Sequence, residues 1–177
     1  MRESAPVSLD VRPMLPSEVG IVIDYFHSAT EEFLETLGVD PTRLPEASRW
    51  RSSYEAECGR PLRKRERYYV AWLNDDVVVG FSGADKLAFG RQLNLHLHIV
   101  DDGERRSGMG TEFVRLTAQL YFETFEVERI YCEPNALNTA PNRTLQAAGF
   151  RYVKTHYTVP GPLNFHQPVT RWVLERP

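Results

Sequence analysis

The spacing of apolar residues predicts a mostly helical first part of the chain. Residues 7–12 alternate between apolar and polar side chains, the pattern of a strand with one buried face. Apolar residues then recur at helical spacing over residues 17–26 and 30–37, and a weaker pattern predicts a helix over residues 46–58. This part therefore contributes one strand and two or three helices.

The remainder of the chain has the alternation of a sheet, interrupted by helical segments. Strand patterns occupy residues 68–73, 77–81, 91–100, 129–132, 152–159 and 169–174. Helical patterns occupy residues 108–125 and 138–148. No repeat or linker divides the chain. The fold class predicted from this order is α/β (α+β), a single domain over residues 1–177 built around one mixed sheet.

Length, composition and charge narrow the class of protein without indicating its function. The chain has 177 residues, 42% of them hydrophobic and 25% charged, as expected for one globular domain. The formal net charge of -3 gives no overall attraction to nucleic acid or to an anionic membrane. Two cysteines far apart in sequence, Cys58 and Cys132, indicate neither a disulfide scaffold nor a zinc site.

The apolar runs and the first residues bear on where the protein is found. Residues 1–6 lack the apolar segment of a secretory signal. No apolar run approaches the roughly 20 residues that span a bilayer. We therefore expect a cytoplasmic protein that binds neither nucleic acid nor membrane.

One segment between a predicted strand and a predicted helix has the composition of an anion-binding loop. Residues 105–110 read Arg-x-x-Gly-x-Gly, and the predicted helix begins at Gly108. Glycines let backbone N–H groups point inward, and a helix N-terminus adds unsatisfied donors and the positive end of its dipole. These features suit a pyrophosphate, but the spacing alone also fits an ordinary strand–loop–helix corner. Neither a P-loop nor a complete dinucleotide fingerprint is present.

In this context the segment resembles the signature of the GNAT family of acetyl-CoA-dependent N-acetyltransferases, Gln/Arg-x-x-Gly-x-Gly/Ala, at every defined position. The resemblance implies a GNAT-like acyl-CoA N-acyltransferase fold, a mixed and mostly antiparallel sheet of about seven strands flanked by helices. It also implies acetyl-CoA as the cosubstrate. The residues expected to bind its pyrophosphate are Arg105, Arg106, Ser107, Gly108, Met109, Gly110 and Thr111. The strand backbone around Ile99 and Val100 is expected to hold the thioester carbonyl.

The last predicted helix carries a second part of the resemblance. It is headed by Asn138 and closes on Gly149-Phe150, and in the family such a helix lines the pantetheine arm, which the Asn contacts. This arrangement is similar to that of the family's protein N-terminal acetyltransferases. Many members carry a Tyr four residues before the Gly, where it protonates the departing thiolate. Here the position is Leu145, so the proton for the thiolate is expected to come from water, from another residue or from the amine itself.

Acetyl transfer requires a neutral amine, so a proton acceptor is expected near the acceptor molecule. The strand over residues 91–100 has one aliphatic face, and its other face carries Asn94, His96 and His98. Small changes in surroundings move the pKa of a histidine across neutrality. We expect His96 as the catalytic base and His98 as the second candidate. The alternative is that both histidines are structural.

Two further interpretations concern the same region. Glu133, at the end of the next strand, is a third candidate for proton transfer, and a solvated strand terminus is the alternative. The spacing of His96 and His98 also fits a metal site, because alternate strand residues share a face. No third ligand is evident in the sequence, so we expect no metal.

The sequence thus predicts an enzyme that moves acetyl from acetyl-CoA to a primary amine by direct attack in a ternary complex. The acceptor can be a small molecule or a protein amine, and the protein can form a homodimer; the sequence does not choose between these alternatives. The alternative function is a CoA-binding module of this fold without turnover. A nucleic-acid role for the basic residues 60–67 is opposed by the negative net charge.

Overall fold

The computed structural model describes residues 8–100 and 108–177, in which a seven-stranded sheet carries helices on both faces. The predicted residues Arg105, Arg106 and Ser107 lie outside the described residues. In chain order the elements are β1 (Leu9–Pro13), α1 (Val19–His27), α2 (Glu31–Thr36), α3 (Ala47–Cys58), β2 (Tyr68–Asn74), β3 (Val77–Ala88), β4 (Gln92–Ile99), α4 (Gly110–Phe125), β5 (Arg129–Cys132), α5 (Thr139–Ala147), β6 (Arg151–Thr158) and β7 (Gln167–Glu175). Short 3-10 helices lie at Pro16–Glu18, Pro41–Arg43 and Leu62–Lys64.

The strand order in the sheet is β1-β2-β3-β4-β5-β7-β6. All neighbouring strands are antiparallel except β4 and β5, which are parallel. Parallel neighbours need a crossover, and α4 supplies it. The predicted fold class, a mixed and mostly antiparallel sheet flanked by helices, is confirmed.

Two apolar cores lie on the two sides of the sheet. Under α4 and α5, the indole of Trp72 stacks on Phe113 with ring centroids 5.1 Å apart, and Tyr121 is fully buried beside them. On the other side, α1 and α3 bring Phe26 and Trp50 together in a stacked pair at 5.7 Å. Full burial of an apolar side chain of this size contributes about 1.5–3 kcal/mol, so both cores hold helices firmly to the sheet.

The two faces of β4 belong to different cores, as its alternation predicts. Leu93 and Leu95 are fully buried in the core under α4. On the opposite face, His98 pairs across the ladder with Phe81, and His96 pairs with Gly83. The histidines therefore face the side of the sheet covered by α1 and α3.

Two boundaries differ from the sequence prediction in ways that matter for the site. β3 was expected to end at residue 81, but it continues to Ala88 because β4 pairs with it as far as Gln92. α4 begins at Gly110 instead of Gly108, whose positive φ of 79° is incompatible with the helix.

Candidate active site

The site lies where two central strands separate. β4 and β5 pair from Gln92–Arg129 to Leu95–Cys132. β4 then continues to Ile99, whereas β5 ends at Cys132. A cavity of about 240 Å³ adjoins this separation and is lined by residues of both strands.

Strand geometry decides which backbone groups face the separation. The N–H of Val100 donates to the carbonyl of Val79 at 2.8 Å, so it points toward β3 and away from the separation. Because successive residues of a strand direct their backbone groups to opposite neighbours, those of Leu97 and Ile99 are directed toward the side of β5. Of the predicted pair Ile99 and Val100, only the first directs its N–H toward the separation.

His96 forms a polar pair with Asp85 at the cavity wall. Nε2 of His96 is inaccessible to solvent and lies 3.1 Å from Oδ1 of Asp85, although the whole imidazole is 30% exposed. Burial by itself lowers the pKa of His96, but the adjacent Asp85 carboxylate more than offsets it, and the pKa of His96 is raised above its ordinary value. The carboxylate therefore stabilises the protonated form of the imidazole.

His98 has different surroundings, although it lines the same cavity. Its ring lies among Tyr25, Phe26 and Phe81, with centroid distances of 5.0–5.1 Å. Its Nδ1 is 3.3 Å from the hydroxyl of Tyr25. The structure thus places one predicted histidine beside a carboxylate and the other in an aromatic cluster.

Glu133 is a buried residue, so the alternative of a solvated strand terminus is wrong. Its side chain is 3% exposed. One carboxylate oxygen accepts a hydrogen bond from Arg171, and the other lies 3.3 Å from Nε2 of His156. Two positively charged or protonatable groups thus balance a carboxylate at the cavity wall.

The segment between β6 and β7, residues 159–166, covers the cavity. A Cβ added at Gly161 would lie 3.2 Å from Cε1 of His96 and 3.4 Å from Oδ2 of Asp85, so the backbone there passes directly over the pair. The segment is anchored at Gly38, whose carbonyl accepts hydrogen bonds from Asn164 at 2.9 Å and Gln167 at 2.8 Å. The sequence of this segment, which includes Pro160-Gly161-Pro162, has the composition of a turn.

The rest of the cavity wall combines aromatic rings with arginines. Aromatic residues that line it are Phe26, Trp50, Tyr69 and Phe81. Arg43 and Arg67 also line it, and both side chains are exposed, so they lie where the cavity opens to solvent. In the sequence, residue 67 stood out only as one of the basic residues 60–67, and residue 43 carried no signal.

The N-terminus of α4 lies beside the end of β4. A Cβ added at Gly110 would contact Ile99 and Thr144 at 3.6 Å, an ordinary packing distance that leaves no room for a large side chain. Gly108 has φ of 79°, a conformation that favours glycine, and a Cβ there would meet nothing within 4 Å. Met109 occupies the N-cap without a side-chain capping bond, and Thr111 follows in the first turn. These residues lead into α4, where the sequence predicts a phosphate-binding turn.

Comparison with known proteins identifies the family. The family model for the acetyltransferase (GNAT) domain matches residues 9–151, most of the chain. The chain belongs to the GNAT acetyltransferase family. Its members transfer acetyl groups from acetyl-CoA to amines, so this GNAT protein is an acetyl-CoA-dependent N-acetyltransferase. A comparison with curated protein sequences gives no match.

Solved structures of GNAT enzymes share the fold. The aminoglycoside acetyltransferase AAC(6')-Ib in complex with coenzyme A has a TM-score of 0.71 at 16% identity, covering 96% of this chain and 95% of that one. Spermidine N-acetyltransferase from Vibrio cholerae, in complex with CoA and spermine, gives 0.76 at 10% identity over 94% and 95%. RimL, a ribosomal L7/L12 alpha-N-protein acetyltransferase in complex with CoA, gives 0.74 at 12% over 96% of both chains.

Two positions singled out by the GNAT resemblance can now be placed. Asn138 precedes α5, but its side chain forms no capping bond with the helix and instead donates to the carbonyl of Thr36 at 3.4 Å. It lines the cavity, as a contact of the pantetheine arm would. Leu145 is fully buried in the core under α4, so its position supplies no proton donor.

The described residues of this GNAT fold contain neither a metal-binding group nor a membrane-spanning helix. Among residues 8–100 and 108–177, no group of three or more His, Cys, Asp or Glu side chains is placed to hold a metal ion. No helix of the same residues combines the length and apolar character that crossing a bilayer requires.

The principal site residue that sequence reasoning missed is Asp85. It lay beyond the expected end of β3, although alternation continues as Phe81, Gly83 and Asp85 on one face. A strand extended to the turn at Gly90 would have placed this carboxylate on the same face as His96. That pattern was the available signal.

Proposed function

We propose that this GNAT protein transfers the acetyl group of acetyl-CoA to a primary amine by direct attack in a ternary complex. The observation that carries the proposal is the Asp85–His96 pair, which lines a covered cavity where β4 and β5 separate. Burial lowers the pKa of this histidine and the Asp85 carboxylate raises it by more, so the pair stabilises the imidazolium that a general base forms.

The CoA-binding residues follow from the same region. Gly108 and Met109, together with the first turn of α4 that begins at Gly110 and includes Thr111, support phosphate binding through backbone N–H groups and the helix dipole. Arg105, Arg106 and Ser107 extend the predicted loop. Asn138 and the separated edge of β4 around Ile99 then lie along the path to the cavity. Acetyl-CoA supplies the activated acetyl group.

The proton of the amine passes to His96 in this proposal. With Nε2 directed at Asp85, Nδ1 is the ring nitrogen that can accept a proton from the amine, directly or through one water. The carboxylate then stabilises the imidazolium that forms. His98 is enclosed by the aromatic rings of Tyr25, Phe26 and Phe81 and is the second candidate.

Direct transfer is favoured over an acetylated cysteine. Cys132 is the cavity-lining thiol, and its burial, together with the neighbouring Glu133 carboxylate, raises its pKa. A thiol that stays protonated at neutral pH is a poor nucleophile. The amine is therefore the group that attacks the acetyl carbon.

Thiol release from acetyl-CoA tests the proposal, measured with a panel of primary amines and with mass detection of the acetylated product. Turnover should require the amine and should yield one acetylated product for each thiol released. CoA binding without release for any amine would instead support the CoA-binding alternative. Accumulation of an acetylated cysteine in the absence of amine would overturn direct attack.

A further inference from the structure

We infer that the acceptor is a small amine that carries an anionic group at its other end and a flat apolar body between them. This inference rests on the proposed function and names its substrate class. It follows from the distribution of charge around the cavity, which differs between the inner wall and the opening.

At the inner wall, each carboxylate already has a cationic partner. Asp85 lies beside His96, whose raised pKa favours the protonated form. The carboxylate of Glu133 accepts a hydrogen bond from Arg171 and lies near His156. This wall can take the one reacting amine, in its neutral form, at the Asp85–His96 pair, but it holds no surplus of acidic groups for ammonium groups.

At the opening, the charges are positive. The guanidinium of Arg67 donates to the hydroxyl of Ser53 at 2.6 Å, and no carboxylate of residues 8–100 or 108–177 lies within ion-pair distance of it. Arg43 has Asp40 at 3.5 Å and is 46% exposed. Guanidinium groups bind carboxylates and phosphates through paired hydrogen bonds, so an anionic group of the acceptor would bind here.

Between these two ends the wall is aromatic. Phe26, Trp50, Tyr69 and Phe81 line it, and the first two are stacked. A flat apolar body packs well against such rings. The volume of about 240 Å³ is below the roughly 300–1,000 Å³ of sites for drug-sized ligands, which favours a small molecule over a peptide.

This charge distribution opposes acceptors with several amines. Aminoglycosides and spermine, bound in the structures of the related enzymes, are polycations. In this chain, further ammonium groups of such a molecule would meet Arg43 and Arg67 at the opening, and like charges repel. This chain thus shares the fold of those enzymes, but the charges around its cavity select a different class of acceptor.

The test compares three para-substituted benzylamines that differ in the charge of one substituent: para-aminomethylbenzoate, para-aminomethylbenzamide and para-xylylenediamine. Thiol release gives kcat/KM, and calorimetry with CoA-saturated protein gives Kd. We expect the benzoate to be preferred over the amide by about five- to tenfold, and the diamine to rank last.

Variants of Arg67 show whether the preference arises at the opening. In Arg67→Gln the ratio of benzoate to amide should fall toward one, and in Arg67→Lys, which keeps the charge, it should largely recover. Arg49→Gln, an exposed position on α3 outside the cavity lining, serves as the matched control and should keep the ratio. Melting temperatures check that each variant is folded.

The two proposals fail in different ways. Turnover of the amide or diamine at least as fast as the benzoate would overturn the charge selectivity and leave acetyl transfer standing. Charge-selective binding to the CoA-saturated protein without thiol release would overturn acetyl transfer and leave the selectivity. Failure of all three probes to bind would overturn the selectivity.

Discussion

At the level of single residues, the Asp85–His96 pair sets the pH at which the site can accept a proton. The free imidazole is the base, so the rate should rise with pH through the pKa of His96. That pKa lies above the ordinary value of about 6.5, because the carboxylate offsets the effect of burial. The rising limb should therefore lie above pH 6.5.

Replacing His96 by Gln keeps hydrogen bonding and approximate volume but removes the base. We expect kcat/KM for the amine to fall by about 10²–10⁴, with unchanged affinity for CoA. The deficit should shrink at high pH as free amine accumulates. A pH–rate profile measures this, with His166→Gln, an exposed histidine outside the cavity lining, as control. Wild-type kcat/KM across the range would make His96 a structural residue.

Replacing Asp85 by Asn tests the cause of the raised pKa. Without the carboxylate, burial dominates and lowers the pKa of His96, so the midpoint of the rising limb should move to lower pH. The same pH–rate measurement detects the shift. Asp24→Asn, an exposed position on α1, should leave the midpoint in place. An unchanged or higher midpoint in the Asp85 variant would contradict the electrostatic role.

At the level of elements, the contact between the end of α2 and the β6–β7 segment shapes the cavity. Gly38 has φ of 72°, and a Cβ there would lie 1.9 Å from Oε1 of Gln167, a fully buried side chain. The carbonyl of Gly38 also accepts from the backbone N–H of Phe165 at 3.3 Å. A side chain at position 38 would push this cover away from the site.

Gly38→Ala should therefore raise KM for the acceptor and lower the melting temperature, without weakening CoA binding. Gly90→Ala is the matched control, because Gly90 has the same φ of 72° but no atom within 4 Å of an added Cβ. Both variants carry the backbone strain of about 1–3 kcal/mol, and only the first carries the clash. Equal effects of the two on KM would show that the cover does not shape the acceptor site.

The N-terminus of α4 gives a second prediction at this scale. A tryptophan at Gly110 would fill the space beside its first turn and obstruct a phosphate, so CoA affinity should fall by about 1–3 kcal/mol, the scale of hydrogen bonds to charged groups. Gly110→Ala should bind CoA nearly normally, since its Cβ has ordinary contacts at 3.6 Å. Calorimetry on folded variants decides. Unchanged affinity in the Trp variant would remove this turn from the CoA site.

At the level of the whole molecule, Glu133 ties together the three strands beyond the separation. It follows β5, and its carboxylate binds Arg171 of β7 and lies near His156 of β6. Its burial means that neutralising it would leave a partly buried guanidinium without its counterion. The residue therefore acts on the stability of the sheet.

Glu133→Gln should lower the free energy of unfolding by about 1–3 kcal/mol, measured by denaturant titration. Glu175→Gln is the control, because that carboxylate is 61% exposed and lies 3.8 Å from Arg129 and 3.9 Å from Arg151. Its effect should stay within about 0.5 kcal/mol. A Glu133 variant with wild-type stability and greatly reduced kcat would instead make Glu133 a catalytic residue.

The elements of the fold were largely readable from the sequence, since they depend on local periodicity. The alternation of β4 gave its two faces, and residues 129–132 form β5 as predicted. In α4, however, the apolar residue Leu116 is only partly buried, whereas the structure buries Phe113, Val114, Thr117 and Tyr121 more deeply. Several rotations of a helix satisfy one apolar pattern, and packing against the sheet selects among them.

The sequence by itself determined the family signature, the class of reaction and the polar face of His96, because each depends on residues close together in the chain. Tertiary structure alone decided which distant side chains these residues contact. Asp85 reaches His96 through the pairing of β3 with β4, and Glu133 meets Arg171 from another strand. Gly38 and Gln167, 129 positions apart, meet because the residues that follow α2 bond to the chain between β6 and β7. Contacts between distant residues arise from packing of the whole chain, and no local pattern encodes them.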